Sequence, residues 1–270
     1  KEYLRGRTPN PCIICNPTIK FKKLIENADK IGAYHIATGH YCRIKYDEET
    51  DEYFVRRGVS LKKDQSYMLY RLDQQVLRRL IFPLGQFESK EDIRTLVRGK
   101  NLSNAEKKDS QEICFINTDY AKYIESLGFS SKEGDFVDEE GNILGKHKGI
   151  LHYTVGQRKG LGIALGKPVF VTSIDPEKNR VVLGDNYELF NNKVVCEDYF
   201  FSAGSPKRFE GKKLYAKVRY SAKLAAASYE VYDKKIIATF DEPQRAIAPG
   251  QSLVFYLDDA VVGGGFIAST

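Results

Sequence analysis

The second half of the chain is a succession of short β-type runs, and this pattern constrains the fold more than any other feature. From about residue 134, alternating or β-branched runs recur roughly every ten residues. Such spacing is typical of an antiparallel barrel or sandwich. We therefore predict strands over 168–174, 180–183, 193–201, 213–221, 226–232 and 236–240, then a hairpin of 253–257 and 260–267 turning at 258–259.

The start of the chain has a different, helical pattern. Asn16 and Pro17 are suited to the N-cap and first turn of a helix over 17–31, which Gly32 would close. An apolar run over 34–38 follows and predicts a strand, so the two form one unit of an α/β layer. One such unit cannot bury both faces of its strand, and we expect its partner strands to be missing from these 270 residues.

The middle of the chain is also predicted to be helical. One helix spans 66–80, a second begins with Ser89 as its N-cap, and a third runs from Asp119 to Gly128. The polar stretch 104–111 between the last two is predicted to be a loop that delivers Cys114 to a site elsewhere.

Composition restricts the class of protein without fixing a function. The chain has 270 residues, 42% hydrophobic and 29% charged, and a net charge of +6, which permits a polyanionic partner without requiring one. No apolar run is long enough for a membrane span and no signal-peptide core is present, so we expect a cytoplasmic protein without a membrane partner. Five cysteines, an odd number, indicate reduced thiols with individual roles.

Two of these cysteines point to sulfur chemistry. Cys15 lies just before the predicted helix, where free backbone N–H groups and the helix dipole favour a thiolate. Cys114 stands alone far downstream. A structural zinc site formed by Cys12, Cys15, His40 and Cys42 competes with this interpretation, because zinc accepts these ligand types.

A glycine-rich segment at the start of the β region is open to two interpretations. Residues 145–166 contain Lys146, Lys148, Arg158 and Lys159, which could follow a phosphate backbone. The same charges would suit an ordinary solvated loop equally well.

Several motifs resemble those of the bacterial tRNA-specific 2-thiouridylases. They occur in that family's order and extend over nearly the whole chain, least distinctively between about 200 and 240. The motifs are Gly6-Arg7-Thr8-Pro9-Asn10-Pro11, Cys15-Asn16 with Ile19-Lys20-Phe21, Ala37-Thr38-Gly39-His40-Tyr41, Lys63-Asp64-Gln65-Ser66-Tyr67, Lys107-Lys108-Asp109-Ser110 with Ile113-Cys114-Phe115-Ile116, Tyr153-Thr154-Val155-Gly156-Gln157-Arg158-Lys159-Gly160-Leu161-Gly162, and Pro249-Gly250-Gln251 with Gly263-Gly264-Gly265.

The resemblance implies a multidomain α/β plus β fold. Residues 1–60 would be the remainder of an ATP-pyrophosphatase α/β domain, 61–132 a central helical domain with the persulfide cysteine, and 133–270 a tRNA-binding antiparallel β-barrel. Family members also carry a loop of the form Ser-Gly-Gly-Val-Asp-Ser that cradles the ATP pyrophosphate. These 270 residues contain no such loop, so we expect this chain alone not to hydrolyse ATP.

The resemblance also implies a chemistry. ATP, with Mg²⁺, would adenylate the C2 oxygen of the wobble uridine, and sulfur would then displace AMP. Cys114 would carry a persulfide received from a cysteine desulfurase or a sulfur-relay protein, and Cys15 would be the nucleophile. Cys15 could release hydrogen sulfide from the persulfide, or the persulfide could attack the base directly; both routes leave a Cys15–Cys114 disulfide.

The remaining implied roles concern ligand contacts. Asn10, Pro11 and Cys12 would contact the target base, with Cys12 in a positioning role rather than as the proton carrier that an aspartate provides in some relatives. Gly39 would lie against ATP. A non-catalytic tRNA-binding fragment is the alternative function. The residues implied to contact tRNA are His40, Lys63, Asp64, Gln65, Arg219, Tyr220 and Gln251.

Overall fold

The first helix begins earlier than the sequence predicts. The computed structural model describes residues 1–98, 114, 116 and 119–270, and its first long helical stretch starts at Pro11 with Asn10 as the N-cap. The Asn10 side chain accepts a hydrogen bond from the Cys12 N–H at 3.1 Å. The stretch consists of α1 (Pro11–Cys15), a π-helical turn (Asn16–Lys20) and α2 (Phe21–Lys30).

This start corrects the predicted position of Cys15. The sequence offers Asn-Pro twice, and the first copy caps the helix. Pro17, which has no N–H to donate, falls within the wider π-helical turn instead. Cys15 is therefore the fifth helical residue rather than a neighbour of the N-cap, and the dipole, which acts within the first turn, favours Cys12 more than Cys15.

A small parallel sheet follows the helix. β1 (Ile36–Ala37) confirms the predicted strand, and it pairs with β4 (Leu80–Ile81), with Ile36 opposite Leu80. The expectation that the partner strands are missing from the 270 residues is therefore wrong for this strand. The partner comes from a segment that was predicted to be helical.

The predicted helix over 66–80 is wrong as a single element. Residues on all sides of it are buried, including Tyr67, Leu69 and Leu72, so the segment does not have the one exposed face of an amphipathic helix. Asp73 starts a new helix by accepting a hydrogen bond from the Val76 N–H at 2.8 Å. The segment becomes a 3₁₀ turn (Ser66–Leu69), α3 (Gln74–Leu77) and then β4.

The two later helices of the middle region agree with their predicted starts. α4 (Lys90–Val97) begins after Ser89, which forms a reciprocal capping box with Asp92. α5 (Tyr120–Ser126) is capped by Asp119. The predicted loop over 104–111 lies outside the described residues. No helix in the described ranges is long and apolar enough to cross a membrane.

The predicted antiparallel barrel is confirmed. Six strands close through the pairing of β13 with β14, in the order β13-β10-β11-β12-β9-β14. Gly263 is required there, because a Cβ atom would lie 2.4 Å from the Phe201 ring. The strands are β9 (Phe190–Phe201), β10 (Leu214–Lys217), β11 (Ala225–Tyr232), β12 (Lys235–Arg245), β13 (Ser252–Leu257) and β14 (Ala260–Ser269).

An unpredicted hairpin attaches the first part of the chain to this barrel. β2 (Cys42–Asp47) pairs with β3 (Glu52–Arg57), and β3 pairs with the outer side of β14. Asp259 at the barrel turn binds the guanidinium groups of Arg43 at 2.9 Å and Arg56 at 2.6 Å. The first part and the barrel therefore share one eight-stranded sheet.

A second, four-stranded sheet is formed by residues that lie between the β2–β3 hairpin and the barrel strands in the sequence. Its order is β6-β5-β8-β7, and it has its own core around Phe136, Val171 and Val181. The β region that starts near 134 thus contains two sheets. The four strands are β5 (Gly134–Val137), β6 (Ile143–His147), β7 (Phe170–Asp175) and β8 (Arg180–Gly184).

Candidate functional site

Three thiols lie near one another at the start of the first helix. Cys12 and Cys15 are partly exposed, and Cys114 is exposed; all five cysteines of the chain are free thiols. Burial raises the pKa of Cys12, the Lys20 ammonium opposes this, and Cys114 and Cys15 raise the pKa further. The other two sulfur atoms therefore lie within electrostatic range of Cys12, and the raised pKa keeps the Cys12 thiol protonated at neutral pH.

The two residues before Cys12 fix the start of this helix. Asn10 uses its side-chain oxygen for the cap, and Pro11 occupies the first helical position, where a missing N–H has no cost. The predicted target-base residues Asn10, Pro11 and Cys12 thus form one rigid turn beside the thiols. Whether they contact a base stays a prediction.

His40 lies next to the same helix and is held neutral. Its ring packs against Phe21 and Phe82, with each centroid distance 5.7 Å. Burial, assisted by the Lys20 ammonium, lowers the pKa of His40 to about 4. Because Lys20 Nζ can only donate, Nε2 of His40 accepts from it at 3.4 Å and Nδ1–H donates to Thr38 Oγ1 at 2.7 Å.

Neutral His40 makes the folding stability depend on pH. The unfolded chain takes up a proton near pH 6.5, whereas the folded protein resists protonation until about pH 4. The contribution of His40 to the free energy of unfolding is therefore fully present above pH 6.5 and is lost as the pH falls toward 4. We expect the free energy of unfolding to fall by about 1–2 kcal/mol between pH 7 and pH 5 through His40.

Urea unfolding at the two pH values measures this effect. His40→Gln should remove that part of the pH dependence, whereas His35→Gln at an exposed position should leave it in place. Equal pH dependence in the wild type and His40→Gln would show that His40 is not the responsible group.

Asp64, a predicted tRNA contact, lies in the interior and is 3% exposed. Its carboxylate accepts hydrogen bonds from the N–H groups of Gly58 and Ser66, each at 3.1 Å, and from Ser66 Oγ at 3.0 Å. Arg57 Nε lies 3.6 Å away as an ion-pair partner. In this structure Asp64 shapes the loop that carries its neighbours, and its direct contact with tRNA stays a prediction.

Gln65 on the same loop holds the residue after His40. The side-chain oxygen of Gln65 accepts a hydrogen bond from the Tyr41 backbone N–H at 2.9 Å. The backbone N–H of Gln65 donates to the Tyr41 carbonyl at 3.0 Å. The loop 63–65 and the strand end at 39–41 are therefore fixed to each other.

Tyr220, which follows β10, lies close to this loop. Burial raises the pKa of Tyr220, Asp64 raises it further, and Lys63 lowers it, which places the ring close to both charges. The ring is 37% exposed and meets the buried Tyr67 edge-on at 6.3 Å. An exposed aromatic face beside a lysine suits stacking of an unpaired base next to a phosphate.

Lys217 belongs to this group, and sequence reasoning missed it. Its ammonium lies 5.9 Å from the centre of the Tyr67 ring and 5.7 Å from that of Tyr220, and burial lowers its pKa. A lysine in an alternating strand looks like an exposed residue in sequence. Only the packing of the loop 63–65 against β10 reveals its burial.

Gln251 and Arg219 lie on the side of the N-terminal segment. Gln251 Nε2 donates to the Thr8 carbonyl at 2.6 Å, so its amide anchors the residues that lead to Asn10. Arg219 is half-buried, and its Nε has no hydrogen-bond partner among the described residues. Their predicted contacts with tRNA stay predictions.

The zinc interpretation conflicts with the position of Cys42. This side chain is fully buried in the core around the first helix, and burial raises its pKa well above the usual range. Within the described ranges, no three His, Cys, Asp or Glu side chains are grouped to hold a metal ion. Gly39, the predicted ATP contact, is exposed just beyond the carboxyl end of β1.

The fold and these residues define a class of protein with an α/β part, a small β domain and a β-barrel. Family models match in the same order: the tRNA methyl transferase HUP domain over 1–118, the tRNA methyl transferase PRC-barrel domain over 122–185 and the aminomethyltransferase β-barrel domain over 193–267.

Individual relatives identify the family within this class. A tRNA-specific 2-thiouridylase of Acetivibrio thermocellus is 51% identical over 98% of this chain and 74% of its own length. Proteins of the same name from Carboxydothermus hydrogenoformans and Clostridioides difficile are 49% and 48% identical, over 99% and 98% of this chain and 73% and 74% of their own lengths. The chain belongs to the tRNA-specific 2-thiouridylase family, which confirms the resemblance in its motifs.

Proposed function

We propose that this chain is the sulfur-transferring and tRNA-gripping part of a tRNA 2-thiouridylase that modifies C2 of the wobble uridine. The observation that carries the proposal is that Cys15 and Cys114 both lie within electrostatic range of Cys12, at a helix start whose leading segment Gln251 of the barrel region holds at Thr8. The names of the relatives support the same activity. We place the enzyme in the cytoplasm.

The proposed reaction divides the work between two sulfur atoms. ATP with Mg²⁺ adenylates the C2 oxygen, and AMP leaves when sulfur attacks that carbon. Cys114 carries the persulfide, which a cysteine desulfurase or relay protein loads onto its exposed side chain. Cys15 then breaks the S–S bond or closes the disulfide after transfer, and an external thiol reductant restores both thiols.

Cys12 has a positioning role in this proposal. A general base at neutral pH needs an ionised form, and burial keeps the Cys12 thiol protonated. A protonated thiol on a capped turn can instead pack against the target base. Its neighbour Lys20 supplies positive charge beside both Cys12 and His40.

The proposed tRNA contacts, which we call the RNA grip, come from residues far apart in the chain. Lys63 and Arg219 would bind phosphates, Tyr220 would stack on an unpaired base, and Gln65 and Gln251 would hold the segments that surround the thiols. His40, neutral and packed between aromatic rings, suits a base rather than a phosphate as its neighbour.

Gly39 would form one wall of the ATP site. It follows a parallel strand, where α/β sheets bind their ligands. The backbone cradle for a triphosphate is a Gly- and Ser-rich loop that the sequence of 270 residues does not contain. A polypeptide of these residues alone should therefore bind tRNA without activating it.

This division predicts separate results for binding and catalysis. The 270-residue chain should bind tRNA and release no pyrophosphate from ATP when tRNA is added. Arg219→Ala should weaken binding and lower the slope of log Kd against log salt concentration by about 0.7–0.9, as loss of one phosphate contact requires. Cys15→Ser should change neither quantity.

Filter binding over a salt series, with a pyrophosphate assay, measures these quantities. Pyrophosphate release by this chain would contradict the proposed division. An unchanged slope in Arg219→Ala would remove Arg219 from the RNA grip. Failure of the unaltered chain to bind tRNA at low salt would contradict the proposed function as a whole.

A further inference from the structure

A cavity of about 810 Å³ lies where the small β domain meets the barrel and the N-terminal segment. Its walls are α5, the loop after β6 and Arg219 of the barrel. The size is that of a ligand site rather than a packing defect. None of the thiols contributes to the lining, so the cavity is distinct from the proposed sulfur site.

The walls carry positive charge for which the described residues provide no ion pair. Lys122, Lys148 and Lys159 line the cavity, and all three are exposed. Arg219 adds a guanidinium whose Nε is buried without a hydrogen-bond partner in the described part of the chain. A buried guanidinium N–H without an acceptor is costly, so the hydrogen bonds that the described residues offer to Arg219 are incomplete.

The described lining also contains two acidic residues. Glu125 Oε1 lies 3.1 Å from His152 Nε2. Asp119 accepts from the Ala121 N–H at 2.9 Å as the cap of α5. The four basic side chains, Lys122, Lys148, Lys159 and Arg219, outnumber these two carboxylates, so the formal charge of the described lining is positive.

Neighbouring basic residues show that this arrangement is specific to the cavity. Lys146, two residues before Lys148, forms an ion pair with Asp135 at 2.6 Å and does not line the cavity. Arg158, next to Lys159, also lies outside the lining. The glycine-rich segment thus contains both solvated charges and charges directed to one site.

The cavity lies next to the N-terminal segment that leads to the proposed reaction site. Thr154 in its wall lies 3.3 Å from the hydroxyl of Thr8, two residues before Asn10. Tyr120 in the same wall stacks on Tyr3 at 4.8 Å. Arg219 lines the cavity while the adjacent Tyr220 lies beside Lys63. One strand could therefore contact both places.

We propose that this cavity binds the phosphodiester backbone of the tRNA at a position away from the target base. The proposal rests on the proposed function, because it assumes that tRNA is the ligand. Guanidinium and ammonium groups such as those that line the cavity recognise phosphate oxygens by charge and hydrogen bonding, without reading sequence. The site would set the register of the RNA while the thiols act on the base.

Two matched double variants of the 270-residue chain test the proposal. Lys148→Gln with Lys159→Gln should weaken tRNA binding about tenfold near 0.1 M salt and lower the log–log salt slope by about 1.4–1.8, the value for two phosphate contacts. Lys146→Gln with Arg158→Gln removes the same charge from the same segment outside the cavity. That control should lower the slope by less than about 0.5.

Hydroxyl-radical footprinting of bound tRNA adds a direct readout. The cavity variant should lose protection over one short stretch of backbone that the control variant keeps. Normal tRNA binding by the unaltered chain with equal salt slopes in both double variants would contradict the cavity proposal alone. Absence of tRNA binding by the unaltered chain would contradict the proposed function instead.

A titration with inorganic phosphate separates RNA from a free anion as the ligand. We expect no calorimetric binding of phosphate that depends on Lys148 and Lys159 at millimolar concentration. Phosphate binding that is lost in the cavity variant, together with an unchanged tRNA salt slope, would assign the site to a free anion and overturn the proposal.

Discussion

Cys114→Ser in the full-length enzyme is expected to reduce 2-thiouridine formation to below detection while leaving tRNA affinity nearly unchanged. A serine oxygen cannot accept a sulfane sulfur, so no persulfide would form. Cys15→Ser should abolish turnover as well, because neither proposed route can be completed without the second thiol. Nucleoside mass spectrometry of tRNA from a complemented deletion strain measures the product.

Two further measurements distinguish the thiols. Persulfide labelling should be lost in Cys114→Ser and persist in Cys15→Ser. Cys12→Ala is the matched control, since it removes a thiol of the same turn that has only a positioning role, and some product should remain. Full activity in Cys114→Ser would eliminate the proposed mechanism.

Asp64→Asn is expected to lower the free energy of unfolding by about 3 kcal/mol. The carboxylate accepts three hydrogen bonds and is the nearest anion described for Arg57 and Lys217. An amide removes the charge and turns one acceptor into a donor that faces N–H groups. Arg57 and the buried Lys217 would then lack their counter-charge.

Urea unfolding of Asp64→Asn and of Asp241→Asn tests this structural role. Asp241 is exposed on β12, and its substitution should cost less than about 0.5 kcal/mol. Unchanged stability in Asp64→Asn together with a large loss of tRNA affinity would identify Asp64 as a direct RNA contact.

Local patterns predicted the elements that depend on local chemistry. The strands of the barrel follow from alternation and turn residues, and the starts of α4 and α5 follow from Ser89 and Asp119 as caps. Where two equivalent signals exist, the sequence cannot choose between them. Asn10-Pro11 and Asn16-Pro17 are both good helix starts, and the contact of the buried Asn16 side chain with the Met68 carbonyl at 2.9 Å belongs to tertiary structure.

Elements defined by long-range pairing were beyond sequence reasoning. The strand β4 is only two residues long and exists because β1 lies beside it. The hairpin of β2 and β3 lacks a clear apolar face because two of its three arginines, Arg43 and Arg56, bind Asp259 from the far end of the chain.

The candidate site likewise combines features that motifs predict with features that depend on tertiary packing. Cys15, Cys114 and the implied RNA contacts were found through motif resemblance, which carries roles but not environments. The burial of Asp64, the neutral state of His40 and the position of Lys217 beneath Tyr220 depend on packing between segments far apart in sequence. No local signal encodes them.

The most direct test of the central claim is the nucleoside content of tRNA from cells that carry or lack the full gene. Mass spectrometry should find 2-thiouridine derivatives at the wobble position when the gene is present, and none when it is deleted or encodes Cys114→Ser. Unchanged 2-thiouridine in the deletion strain, with no second copy of the gene, would contradict the assignment.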